Sequence, residues 1–253
     1  MFRCALFLIV IGLFSGCQSM TTQTMTPLAD QKQIYVDGLV AVASKKEASI
    51  AMIAATSNEI PNGQRIQLAL QVQNLGENNI DIDTSNIRVT SPEINEVKVY
   101  SYAELVKEEK QQRAAALIVT AIAGAANVYN ASVNSNVSTT GTYNSSTFTP
   151  GGTYRTTGTY NSTTYDPLRA QIASNMAANQ ASNQMNNIAN NSDNRLNTLK
   201  GSILKRTTVF PGSAHNGMFV FEAPRLKKDE TRKYNVLVSF GGEQHVFVLL
   251  HSM

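Results

Sequence analysis

The chain has no tryptophan, two cysteines, three histidines and seven prolines in 253 residues, and charged side chains make up only 15% of it. Each shortage excludes something. His245 and His251 share a strand face but stand six residues apart, about 20 Å at ~3.3 Å per residue, too far to share a metal. No P-loop, dinucleotide fingerprint, paired-carboxylate motif or zinc-ligand spacing occurs. Ser213 precedes His215 by two residues in "PGSAHNG", but without a Gly-x-Ser-x-Gly elbow or an orienting acid, so an ordinary turn is the expectation. Nothing argues for an enzyme, a cofactor or a metal. A formal charge of +3 is too weak for nucleic acid, whose binding needs clustered cations. The densest basic run, "RLKKDETRK" (225–233), has acids within it and reads as a solvated loop capping a hairpin, with an anionic surface as the sharper alternative.

Long apolar runs are scarce as well. "CALFLIVIGLF" (4–14) follows Arg3 and has the length of a signal-peptide core, short of the ~20 residues of a full span. Phe14-Ser15-Gly16-Cys17 comes next: an apolar residue, two small ones, then a thiol. This resembles the lipobox of bacterial lipoproteins, with Phe14 where that family usually has Leu. The resemblance implies a signal peptide over 1–16, lipid on Cys17, and a membrane partner reached through that lipid. Gln18, rather than Asp, after the cysteine implies the outer membrane. Cys4 would leave with the signal, so no internal disulfide would form, and the charge would fall to +2.

What is present is mostly alternation. After a polar stretch read as a lipid-proximal tether (17–33), "RIQLALQVQ" (65–73) sets Ile66, Leu68, Leu70 and Val72 on one side and polar residues on the other. That is the period of a half-wet antiparallel sheet. "LVAVAS" (39–44), "SIAMIAAT" (49–56), "NIDI" (79–82), "NIRVT" (86–90) and "EVKVYS" (96–101) join it. The pattern resumes at 202–253 with "TVF", "GMFVF", "KYNVLVSF" and "EQHVFVLL". Gly241-Gly242 between the last two predicts a type I′ turn that sets Phe240 against Glu243, Val238 against His245, Val236 against Phe247 and Tyr234 against Leu249. His245, opposite Val238, is expected to be a satisfied sheet histidine. Eight or nine short strands in two blocks, 34–101 and 202–253, predict an α+β chain whose β-sandwich resembles immunoglobulin-like modules, with a helical hairpin inserted at 102–201.

Within the insertion, "YAELVKEEKQQRAAALIVTAIAGAANVYN" (102–130) predicts one helix, with a Glu109–Arg113 pair and a broad apolar arc of Leu117, Ile118, Ala121, Ile122, Ala125, Val128 and Tyr129. Arg113, Thr120 and Asn127 share the narrow remaining strip. The run Ala114–Ala126 is short for a span and reads better as a buried helix or an assembly surface. Pro167 suits the first turn of a second helix, reaching about Lys200. There Ala170, Ala177, Ala181, Met185, Ile188, Leu196 and Leu199 gather opposite Asn175, Asn179, Asn183, Asn186, Asn190, Asn194 and Asn197. The two helices are expected to pack antiparallel through their alanines.

The connector 131–166 contains a repeat, "GTYNSS" (141–146) and "GTYNST" (158–163), around Pro150-Gly151. Low complexity suggests a loop; alternatively it is an exposed hairpin offering Tyr143, Tyr154, Tyr160 and Tyr165 to a partner or a lipid interface. The expectation overall is a non-enzymatic structural or assembly lipoprotein of the envelope. An oligomeric pore or secretion accessory is second and an envelope hydrolase third. Its partners would be the membrane and either further copies of itself or another envelope protein. The candidate contacts are Asn183, Asn186, Asn190, Asn194, Tyr143, Tyr154 and Tyr160.

Overall fold

A computed structural model describes residues 19–36, 38–150 and 152–253. Before the insertion come β1 (Met20–Thr26), β2 (Lys32–Val36), β3 (Leu39–Lys45), β4 (Ser49–Ala55), β5 (Glu59–Pro61), β6 (Ile66–Asn74), β7 (Ile80–Ile82), β8 (Ile87–Ser91), β9 (Asn95–Val97) and β10 (Val99–Tyr100). The insertion runs through α1 (Tyr102–Val133), β11 (Asn136–Thr149), β12 (Gly152–Tyr165) and α2 (Pro167–Ser202). β13 (Thr207–Val209), β14 (Ala214–Phe221), β15 (Thr231–Phe240) and β16 (Glu243–Ser252) follow.

Two compact units result, one ending at Leu105 and resuming at Lys200, the other Val106–Leu199. The first is an α+β sandwich of two six-stranded antiparallel sheets, ordered β5-β1-β16-β15-β8-β9 and β10-β14-β6-β4-β3-β2. Alternation drives it: Ile66, Leu68, Leu70 and Val72 of β6 and Phe219 and Phe221 of β14 meet Tyr234, Val236, Val238, Phe247 and Leu249 from the opposite sheet. Burying each such side chain contributes ~1.5–3 kcal/mol before entropy is set against it. The β15–β16 hairpin has the predicted register throughout, including Val238 with His245, and Gly241 and Gly242 take φ of 64° and 75°.

Four expectations are corrected. The tether reading fails over 20–26, because β1 pairs with both β16 and β5 and buries Thr21, Gln23 and Met25. Its inward face is mixed: Met25 joins the hydrophobic core, while the Thr21 hydroxyl donates to the Ile60 carbonyl at 3.0 Å. "EVKVYS" is two strands, β9 in one sheet and β10 in the other, with the chain crossing over at Lys98. The basic run 225–233 is not wholly solvated. Arg232 is buried on β15, donating to the Pro224 carbonyl at 3.0 Å and paired with Glu230. Finally, Glu109 and Arg113 are directed across to the other helix rather than to each other, as described below.

The insertion leaves and re-enters along one strand. Val99 and Tyr100 pair with Phe221 and Val220 of β14, and Ile203 bridges Met218 of the same strand. At the exit from β10, Ser101 and Glu104 form a reciprocal cap. The Glu104 N–H donates to the Ser101 hydroxyl at 3.2 Å and the Ser101 N–H donates to the Glu104 carboxylate at 2.9 Å. That backbone bond, with Lys98 at 3.0 Å, holds the Glu104 carboxyl down at about 2.

Candidate interaction surface

From Ala114 to Ser192 the chain carries three charged side chains, Arg155, Asp166 and Arg169, against 21 Lys and Arg and 18 Asp and Glu in the whole sequence. This charge-poor stretch forms most of the second unit. Its helices are antiparallel. Arg113 meets Asp193 at 2.6 Å, Arg195 meets Glu109 at 3.7 Å, and the Ser174 hydroxyl donates to the Val128 carbonyl at 3.5 Å. At Gly124 the backbones come so close that an added Cβ would lie 2.6 Å from the Ala181 Cβ, and Gly124 is buried. Gly124 against Ala181 sets the helix spacing there; α2 contributes alanines as expected, whereas Ala121 and Ala125 of α1 are exposed. Asp166 caps α2 by accepting the N–H groups of Leu168 and Arg169 at 3.0 and 3.1 Å, with Pro167 in the first turn.

On α2 the predicted sidedness holds. Ala170 and Ala181 are buried and Ala177, Met185, Ile188, Leu196 and Leu199 half-buried, whereas Asn183, Asn186, Asn190 and Asn194 are all exposed. On α1 the reading as a buried helix is overturned. Thr120 and Arg113 of the supposed outer strip are half-buried, while Ile118, Val119, Ile122 and Tyr129 are 61%, 67%, 66% and 65% exposed. The physical reason is which arc meets α2: Leu117, Thr120, Gly124 and Val128 line the contact, with Gly124 at its closest point, and Ile118, Val119 and Ile122 fall outside that arc. Leu168, Ile172 and Met176 of α2 are exposed as well. Among the described residues α1 is the one helix long and apolar enough to cross a membrane by length and composition.

The connector is an extended ribbon. β11 and β12 pair over fourteen residues each without a bulge, from Asn136 with Tyr165 to Thr149 with Gly152. Residue 151 of the predicted Pro-Gly turn lies outside the described residues, as does Cys17. Tyr143, Tyr154 and Tyr160 share one face and Tyr165 lies on the other, all exposed. The repeat has a structural meaning that the sequence alone did not disclose. Gly141 stands opposite Tyr160 and Gly158 opposite Tyr143, and a Cβ on either glycine would come within 2.4 or 2.5 Å of the facing ring. Each tyrosine thus lies across the other strand's glycine.

The histidines are accounted for inside the sandwich. His245, fully buried, bonds through Nδ1 to the Ser44 hydroxyl at 3.0 Å and through Nε2 to the Ser49 hydroxyl at 2.9 Å. Ser49 in turn donates to the Glu243 carboxylate, which also accepts the N–H groups of Glu47 and Ala48. Burial pushes the His245 imidazole below its usual range. Burial alone would raise the Glu243 carboxyl, but the Ser49, Ala48 and Glu47 bonds outweigh it and bring it lower. This order gives the serine proton to the carboxylate, not to the imidazole, and Ser49 is itself buried. It is a sheet-end lock and not an activated nucleophile. His251 Nε2 bonds the Thr21 hydroxyl at 2.7 Å, and burial followed by the Arg232 charge pushes its imidazole down to about 4. His215 lies apart on β14, half-buried and paired with Val72. No group of three metal-ligating side chains occurs among the described residues. No family model, no curated protein and no solved structure matches the chain.

Proposed function

We propose that this chain is a non-enzymatic lipoprotein of the outer membrane, held by lipid on Cys17, which serves as a structural or assembly component of the envelope. The assembly part rests on the second unit from Ala114 to Ser192: a helix pair and a ribbon whose exposed surface is apolar, hydroxyl- and amide-bearing, and carries three charged side chains. Surfaces that meet only water are usually ~25–35% charged, whereas the centres of protein interfaces are depleted of charge and enriched in aromatics. The membrane part rests on the apolar run 4–14 and the Phe14–Cys17 sequence. The paired antiparallel sheets favour an immunoglobulin-like relationship for the sandwich, although six strands in each sheet exceed the usual count for that family.

A second reading, an oligomeric pore or secretion accessory, is favoured by the ribbon, whose outer edges have no partner strand among the described residues. The two parts are tested separately. Intact-mass spectrometry should find lipid on the wild-type N-terminus and an unprocessed, unlipidated precursor for Cys17→Ser; a bare wild-type N-terminus would sink the membrane assignment. Light scattering on detergent-solubilised protein should give the mass of several chains, and a monomer would remove the pore reading.

A further inference from the structure

We infer that the β11–β12 ribbon of one copy pairs along its open edges with the ribbon of a second copy, so that one antiparallel sheet, two strands from each chain, runs through the assembly. This deepens the oligomeric reading above and rests on it.

The ribbon is incomplete as it stands. A two-stranded hairpin is marginal in water, and among the described residues no third strand covers either edge of this one. Exposed edges in soluble proteins are commonly guarded by lysine, proline or a bulge. These fourteen-residue strands contain no lysine and no proline, their pairing has no bulge, and Arg155 is their one charge. Their threonines and tyrosines are residues that suit strands.

What marks a second copy as the occupant is self-complementarity. The two strands carry the same Gly-Thr-Tyr-Asn-Ser run, and in register each tyrosine faces a glycine. When β12 of one copy lies against β11 of the next in this same register, Tyr160 faces a second Gly141, and Gly158 faces a second Tyr143. Tyr160 and the next copy's Tyr143 then each have glycine on both sides, and these rings do not collide across the new edge. Hydrogen-bond parity agrees. In an antiparallel pair the residues whose N–H and C=O point away from the partner are directly opposite one another on the two strands. The outward-pointing groups of β12 therefore meet those of the next β11 without a shift. A lipid surface does not fit this element, because hydrocarbon would leave two open rows of backbone groups unpaired.

The test uses two full-length proteins, Thr139→Cys and Ser162→Cys, expressed separately and together, then mildly oxidised. Residues 139 and 162 face each other within one ribbon, so a single cysteine at either site has no mate in its own copy. The expected result is a disulfide-linked dimer on co-expression and none from either variant alone, with each single variant also controlling for Cys17. Light scattering adds a second arm. Thr139→Lys with Ser162→Lys should drop the assembly to the mass of a single chain. Lysine at Asn183, Asn186 and Asn190 should leave the mass unchanged. Absence of the mixed dimer, or an unaltered mass after the ribbon lysines, overturns edge pairing. A lipidated wild-type protein that is monomeric overturns edge pairing and the pore reading while leaving the lipid-anchored assignment standing.

Discussion

His251 shows how one buried residue couples the fold to pH. Its imidazole is fully buried, bonded to Thr21 through one nitrogen, and resists protonation down to about 4. In the unfolded chain the same group takes up a proton below about 6.5. Between those values the unfolded state binds more protons than the folded one, so stability falls as pH falls. His245 is shifted the same way by burial and adds to the effect. The urea midpoint is therefore expected to be lower at about pH 5 than at about pH 7, before the carboxylates begin to titrate; a level or rising midpoint would contradict this account. None of these three buried bonds was legible in the sequence, since Thr21, Ser44 and Ser49 are distant in sequence from the histidines they meet. The predicted register, by contrast, did place His245 against Val238 and inside the sheet.

Among the elements, α1 shows contact geometry overruling composition. Its most apolar residues face outward because they fall outside the arc that meets α2, where Gly124 against Ala181 is the closest point. Leucine is the better helix former by ~1 kcal/mol, so propensity alone says that Gly124→Leu should stabilise. Overpacking against Ala181 opposes it by ~1–3 kcal/mol and should win. Gly124→Leu is thus expected to lower the melting temperature of the helical signal in circular dichroism, and Ala126→Leu, at an exposed position, to leave it nearly level. Equal behaviour of the two variants would show that the helix pair is not set by that contact. Helix existence, the Pro167 start and the asparagine side of α2 were readable from periodicity. The outward turn of Ile118 and Ile122 was not, because a wheel shows that a face is apolar but not which arc its partner occupies.

For the whole molecule, the arrangement of ends is what lets a charge-poor unit be carried by a sandwich. β1 is completed by β16 and β10 by β14, so both sheets join strands from before and after the insertion. The insertion's two ends meet one strand, β14, within a few residues of each other. Loop-closure cost grows slowly with length, ~0.6 kcal/mol per doubling, so the span between them is exchangeable. Replacing 106–199 with a short Gly/Ser linker should leave a cooperatively melting β protein that retains Leu105, Ile203 and Leu204 in its packing. Loss of the β circular-dichroism signal would show that the second unit is needed to fold the first.

Local chemistry alone determined the two-residue turn at Gly241-Gly242, the inward faces of β6 and β15, both long helices and the scarcity of charge through 114–192, because each is written in periods of two or about 3.6 residues or in plain composition. Tertiary structure decided the rest. It drew Thr21, Gln23 and Met25 into a sheet, since an edge supplied by β16 satisfied backbone and hydroxyl groups that composition marks as solvated. It buried Arg232 by supplying Glu230 and the Pro224 carbonyl. It also brought Gly141 opposite Tyr160 and Gly158 opposite Tyr143, which gives the repeated Gly-Thr-Tyr-Asn-Ser run a register. The sequence shows a repeat, but only strand pairing across a turn determines which copy of each residue faces which.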